Sequence, residues 1–308
     1  MSAFNPSLRA RLMRLAARHV IGSILTSAQP AAVRRARLER VGAMSRLPLP
    51  FGTRIEATTL RGVPAEWLSN SCVAPTRTVL YLHGGGYIVG SPRMYRDLTS
   101  RIAQSWQARV AVVDYRLAPE HRFPAATDDC LNAYRSLLEQ GIAPANIVIA
   151  GDSAGGGLTL ATAINIREAG LPQPAALVLF SPWLDLTVDS ESARTITDDA
   201  MLTVPALRAA GLDYVGDQDP RTPLASPLFA KLQGLPPMLI QVADREILLD
   251  DARRLDQRAR EAGVAATLQI WPGLFHVWQL FAGKLPEAAR ALAQAAAFLE
   301  AQREAGRA

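Results

Sequence analysis

Ile147-Val148-Ile149-Ala150-Gly151-Asp152-Ser153-Ala154-Gly155, followed by Gly156-Gly157-Leu158-Thr159-Leu160-Ala161, is the stretch whose reading decides the fold. It opens on an apolar, β-branched run of strand character and ends in a helical pattern, so a serine stands at the turn between them. Small residues on both sides of Ser153 fit G-x-S-x-G, a sharp strand-to-helix turn that lifts the serine hydroxyl clear of the backbone. The helix that starts at Ala154 aims unpaired N–H groups and its positive dipole end at that hydroxyl, which favours the negative charge that builds up in acyl transfer. Ser153 is the candidate nucleophile.

Outward from this turn, β-rich runs alternate with helical patterns, the signature of a sheet whose parallel strands are joined by helices. Strands are predicted over 52–60, 63–69, 78–83, 109–115, 146–151, 175–181, 237–243 and 266–271, the first two closing a hairpin around Arg61-Gly62. Helices are predicted near 92–106, 124–140, 154–169, 248–262 and 286–304. The expectation is an α/β fold with an eight-stranded, mostly parallel sheet flanked by helices. Residues 1–50 and about 187–233 fall outside this alternation; the second carries Pro205, Pro220, Pro223 and Pro227 and a helical piece around 204–215. Connections of that length are usually lids or binding elements. Both are expected to form a helical cap, leaving 51–186 and 234–308 as the catalytic body.

His83-Gly84-Gly85-Gly86 follows the third strand. Three glycines leave their amides uncovered, so two of Gly84, Gly85 and Gly86, with the amide of Ala154, are the expected donors to an oxyanion. A phosphate loop is the alternative, but neither G-x-x-x-x-G-K-[ST] nor G-x-G-x-x-G follows a fitting strand. His83 is read as a residue that fixes the loop by hydrogen bonding.

The chain has four histidines, His19, His83, His121 and His276, and only His276 follows the eighth strand in a loop where a base is wanted. The order serine, acid, histidine then puts the acid after the seventh strand. Asp244 directly follows Leu239-Ile240-Gln241-Val242-Ala243 and is the expected carboxylate, with Glu246 the main competitor; Asp250 and Asp251 are better explained as first-turn residues of a helix. A rival order, His83, Asp114, Ser153, belongs to an all-β context that this alternation excludes.

These segments together resemble the bacterial hormone-sensitive-lipase-like carboxylesterases of the α/β-hydrolase superfamily, in the branch whose turn reads Gly-Asp-Ser-Ala-Gly. The resemblance runs from about residue 76 to 282 and rests on His83 to Tyr87, Asp114 to Glu120, Gly151 to Gly156, Ser181-Pro182-Trp183, Asp244, and Gly273 to His276. It implies hydrolysis of short- to medium-chain acyl esters, a cap over the site, and no metal or organic cofactor. Lactone, acetyl-ester or amide hydrolysis by the same triad, and a non-catalytic small-molecule-binding role, are the alternatives; His276 argues against the last. Trp183, Met201, Leu202, Phe275, Val277 and Trp278 are candidates to line the substrate pocket.

The resemblance implies a small-molecule ester as the partner, and bulk properties bear on what else the chain could meet. With 308 residues, 49% of them apolar, the chain can bury one large core, and no apolar run approaches the ~20 residues of a membrane span. The net charge of +5 is concentrated at one end: residues 1–50 hold nine Arg and one Glu, which leaves −3 for the rest. Two readings fit this basic leading segment, an anionic membrane surface and a solvated helix face that covers the body; the second is preferred, because no Trp or Phe stripe lies opposite the arginines. No nucleic-acid motif accompanies the charge. Residues 1–26 lack a signal-peptide pattern, and Cys72 and Cys130 stand in unrelated contexts, so a cytoplasmic, reducing location is expected. A homodimer is left open.

Overall fold

The structure, a computed structural model, describes residues 6–44 and 48–306. Strands β1 (Thr53–Leu60), β2 (Val63–Asn70), β3 (Arg77–Leu82), β4 (Ala108–Val113), β5 (Ile147–Asp152), β6 (Ala176–Phe180), β7 (Met238–Ala243) and β8 (Ala266–Trp271) lie within two residues of the predicted spans. They form one sheet in the order β1-β2-β4-β3-β5-β6-β7-β8. The predicted hairpin is present, with Leu60 opposite Val63; β1, β2 and β4 pair antiparallel and every other neighbouring pair is parallel.

The helices are α1 (Leu8–Ala17), α2 (Ser23–Leu25), α3 (Ala31–Met44), α4 (Pro92–Ser105), α5 (Ala125–Glu139), α6 (Ala154–Glu168), α7 (Glu191–Thr195), α8 (Val204–Val215), α9 (Leu249–Glu261) and α10 (Pro286–Ala305). Because strand side chains alternate, the central strands feed two cores. Leu80, Leu82, Ile149, Leu177 and Ile240 pack with Leu137 of α5, Leu158 of α6 and Leu255 of α9 on one face. Val79, Tyr81, Val148, Phe180 and Leu239 pack with Ile102 of α4 and Leu292 of α10 on the other. The Trp106 indole N–H donates to the Leu292 carbonyl at 3.0 Å and ties α4 to α10.

The chain steps from β3 outward to β4 and then returns to the other side of β3 as β5, so the direction of strand order reverses between β3 and β5. Such a reversal opens a crevice at the carboxyl ends of the two strands, because the loops leaving them diverge. Leu82 lies opposite Gly151 in that pair, which brings the loop after β3 and the turn after β5 side by side.

Of the segments expected to cap the body, 187–233 contains α7 and α8, and 1–50 contains α1 to α3; residues 1–5 and 45–47 lie outside the described residues. Arg35 of α3 donates to the carbonyls of Ile88 and Ala118 at 2.7 Å each and to both oxygens of Glu120, and Ser91 donates to Glu39. These bonds hold α3 against the loops that follow β3 and β4.

Candidate active site

Ser153 sits between β5 and α6 at φ 53°, ψ −121°, a conformation costing a non-glycine residue roughly 1–3 kcal/mol. The cost is offset locally: the Ser153 N–H donates to the Phe180 carbonyl at 2.9 Å, and its own carbonyl accepts from Trp183 and Gly157 at 2.9 and 3.0 Å. A Cβ at Gly155 would lie 2.0 Å from the Leu82 carbonyl oxygen, so the turn closes this tightly only with glycine there.

His276 lies in the loop after β8, and its Nε2 is 3.0 Å from Ser153 Oγ. With the hydroxyl donating to Nε2, the proton of the imidazole resides on Nδ1. The carboxylate facing Nδ1 is that of Glu246, whose Oε2 stands 3.5 Å away in full burial. The expectation of Asp244 is corrected here. Asp244 still belongs to the strand edge, its N–H bonding the Trp271 carbonyl, and its Oδ1 accepts from the Gly273 amide at 2.7 Å. The chain turns only after it, and the turn carries Glu246 inward. Ser181 completes this side: its hydroxyl donates to Glu246 Oε2 at 2.9 Å and its oxygen accepts from the Val277 amide at 3.2 Å.

Asp250 and Asp251 stand in the first turn of α9 as expected, and they also hold the insertion: Asp251 accepts from the amides of Leu184 and Asp185, Asp250 from that of Ser192. Sequence reasoning had no signal for those partners, which lie more than fifty residues away.

Burial pushes the Glu246 carboxyl above its ordinary range. For His276 burial works in the opposite sense, but the Glu246 contact and the charges of Asp199 and Asp152 outweigh it and hold the imidazole above its usual value. His83 is pushed down to about 4 by burial and is neutral; its Nδ1 donates to the Gly84 carbonyl at 2.8 Å, the loop-fixing bond anticipated for it.

The glycine loop narrows the expected donor set. Gly84 N–H is turned away from the crevice, toward Asp152 Oδ1 and the Tyr95 hydroxyl, each at 3.0 Å. That removes Gly84 from the expected donors. The amides of Gly85 and Gly86 meet no acceptor among the described residues, and the Ala154 amide is in the first turn of α6, where no helical acceptor exists. Gly85 has φ 118°, and a Cβ there would lie 2.1 Å from the Val89 carbonyl oxygen.

Asp152, the variable residue of G-x-S-x-G, is a site residue that sequence reasoning missed. Its Oδ1 accepts from the Tyr81 hydroxyl at 2.9 Å and its Oδ2 from the Tyr95 hydroxyl at 2.8 Å, in addition to the Gly84 amide. Burial raises its carboxyl to about 6 despite those donors.

Above the serine lies a cavity of about 220 Å³, bounded by Ser153, His276 and the three glycines. Met201, Leu202 and Val277 line it as expected, whereas Trp183, Phe275 and Trp278 do not. Those three large rings are buried in the two cores, where they fill space against the sheet. Aliphatic side chains from the leading segment take their place, among them Ile21, Leu25 and Leu38, with Leu207 of α8. The Arg34 guanidinium also reaches the lining, and its Nε has no hydrogen-bond partner among the described residues.

Residues 79–280 match the model of a family described as alpha/beta hydrolase fold. An esterase of the bacterial hormone-sensitive lipase family superposes with a TM-score of 0.89 at 42% identity, over 97% of this chain and all of that one. The chain belongs to this family of α/β-hydrolases. Two relatives agree with that placement. The hydrolase is 45% identical to an acetyl-hydrolase of Streptomyces hygroscopicus over 83% of this chain and 85% of that one, and 40% identical to an esterase of Acinetobacter venetianus over 80% and 81%. The esterase EstE5, soaked with p-nitrophenyl butyrate, has a TM-score of 0.90 at 37% identity. Among the described residues of the hydrolase, no helix is long and apolar enough to cross a membrane.

Proposed function

We propose that the chain is a serine carboxylesterase that hydrolyses short- to medium-chain acyl esters through an acyl-enzyme on Ser153. The observation that carries this is the 3.0 Å approach of His276 Nε2 to Ser153 Oγ inside a small, largely aliphatic cavity. As Oγ attacks the ester carbonyl, Nε2 takes its proton, and Glu246 stabilises the imidazolium across the Nδ1 contact. The carbonyl oxygen, now negative, is met by the amides of Gly85, Gly86 and Ala154. The protonated imidazole then gives its proton to the leaving alkoxide, the alcohol departs, and a water deprotonated by the same nitrogen releases the acid. Residues 6–44 and 187–233 act as the cap that supplies the aliphatic wall.

Ser153→Ala is expected to reduce hydrolysis of p-nitrophenyl butyrate by roughly 10⁴–10⁶ in kcat, with an unchanged circular-dichroism spectrum and loss of fluorophosphonate labelling. Full activity in that variant would overturn the reading. The similarity to an acetyl-hydrolase supports a second reading, deacetylation. Comparing kcat/KM across acetyl, butyryl and octanoyl esters separates the two, since a deacetylase declines steeply beyond acetyl.

A further inference from the structure

Helix α1 turns its leucines outward. Leu8, Leu12 and Leu15 are 72%, 59% and 51% exposed, and the next turn adds Val20 at 42%. At 3.6 residues per turn the three leucines share an arc of about 60°, with exposed Arg11 and Arg18 along one edge and Arg9 along the other. The opposite face carries the buried Ala10 and Ala17. The helix is fixed, not splayed: Ser7 caps the Ala10 amide, the Ser7 N–H donates to Glu287 at 2.9 Å, and Arg14 bonds both the backbone and the carboxylate of Asp198.

A solvated covering face would put its polar residues outside. Helix α1 does put Arg9, Arg11 and Arg18 in solvent, and it exposes three leucines beside them. Among the described residues, the carboxylates that bond α1 and its cap, Glu287 and Asp198, do so at Ser7 and Arg14, off the leucine face, and Arg18 bonds a carbonyl, that of Asp199. Arg9 reaches the Lys284 carbonyl, a neutral partner that leaves its charge uncompensated. Beside Leu15 opens a cleft of about 500 Å³ lined by Arg11, Arg14 and Arg245, with Asp244 as its acidic wall.

We propose that the outer face of α1 docks on an anionic lipid surface, the leucines entering the headgroup boundary and Arg9, Arg11 and Arg18 meeting lipid phosphates. A second copy of the chain fits less well. A stable dimer needs about 800 Å² from each partner, far more than three leucines offer, and two such faces would bring like-charged arginine rims together. The same leading segment supplies Ile21, Leu25 and Thr26 to the cavity above Ser153, so a lipid surface on α1 lies next to the entrance and presents apolar esters to it. The docking itself does not depend on the proposed hydrolysis.

The test is flotation of the full chain with vesicles of phosphatidylcholine alone and of equal parts phosphatidylcholine and phosphatidylglycerol. The wild type is expected to float with the anionic vesicles, less at high salt and less with phosphatidylcholine alone. The combined variant Leu8→Ser, Leu12→Ser, Leu15→Ser is expected to lose roughly tenfold or more in partitioning. Arg11→Gln and Arg18→Gln should each lose roughly fivefold, on anionic vesicles only. Circular-dichroism spectra and melting temperatures, unchanged in all variants, show that they fold. The proposal falls if the wild type does not float, if the leucine variant floats equally well, or if light scattering finds a wild-type dimer that the leucine variant converts to monomer.

Discussion

Two buried carboxylates flank Ser153, and they are held differently. On the elbow side, Asp152 accepts from the Tyr81 and Tyr95 hydroxyls and the Gly84 amide, so both of its oxygens are occupied. On the histidine side, Glu246 accepts from Ser181 through Oε2, stands 3.5 Å from His276, and leaves Oε1 without a partner among the described residues. An ionised carboxylate with unused acceptor capacity in a dry site is stabilised most when a cation forms beside it. The imidazolium that appears during acyl transfer is such a cation. Glu246 is thus built to gain interaction as the reaction proceeds, whereas Asp152 holds constant geometry. The first arrangement acts on the barrier through the Nδ1 contact, and Asp152 adds only the field of its charge.

The sharpest way to break that distinction is to neutralise the carboxylates that compete for the histidine. Glu246→Gln should lower kcat by roughly 10³–10⁴, because the amide neither enforces the Nδ1–H tautomer nor offsets the imidazolium charge. Asp244→Asn should change kcat by less than about threefold, since an amide oxygen can still accept the Gly273 N–H. Steady-state kinetics on one p-nitrophenyl ester decides between them; the opposite ranking would restore Asp244. The pH profile adds a sign. His276 must be neutral to act as base, and Glu246 raises its affinity for a proton, so the acid limb of kcat/KM lies above the ordinary histidine value of 6.5 in the wild type. In Glu246→Gln it moves to lower pH.

Asp152 is expected to act on rate through position and, more weakly than Glu246, through the charge that helps to hold the His276 proton. Asp152→Asn keeps an oxygen for Tyr81 or Gly84 but turns an N–H toward the Tyr95 hydroxyl, and kcat should fall about tenfold with little change in KM. Its stability effect depends on pH in a defined direction. The folded carboxyl, at about 6 against an ordinary 3.8, contributes stability below about pH 4 that is lost as pH rises through 6, a change of roughly 3 kcal/mol. Asparagine lacks this titration. Thermal denaturation should therefore show the variant improving relative to wild type between pH 4 and 6, and a constant difference across that window would refute the assignment.

Most of the architecture was legible because its causes are local. Each central strand is buried on both faces and so reads as a continuous Val/Ile/Leu run, and Ser153 announces itself by small neighbours at a strand-helix junction. The histidine that faces Ser153 was legible by elimination among four. The carboxylate that faces this histidine was not, because Asp244 and Glu246 lie two residues apart after one strand, and which of them turns inward rests on the direction of the turn and on Ser181, which is distant in sequence. The pocket was half legible. Loop position favoured the aromatic residues, yet Trp183, Phe275 and Trp278 are large enough to fill the cores, and the aliphatic wall comes from a leading segment with no motif of its own. The outward leucines of α1 escaped for a related reason: periodicity identifies an apolar face but not which side of the helix the body occupies.

The smallest expected effect bears on how far the elbow carboxylate depends on its shell. Tyr95→Phe removes the hydroxyl that donates to Asp152 Oδ2 and accepts from Gly84 N, while the ring keeps its place between Tyr81 and His83, with centroids at 5.9 and 5.5 Å. Asp152 retains Tyr81 and the Gly84 amide, so the loss is one buried hydrogen bond, about 1 kcal/mol of stability. Since Asp152 still anchors Gly84, kcat should fall only about twofold to fivefold, and KM should not move. The Asp152 carboxyl loses a donor to its charged form and so titrates higher, which moves the pH-dependent loss of stability upward. A decline in kcat as large as that of Asp152→Asn would mean that the tyrosine, and not the carboxylate, sets the glycine loop.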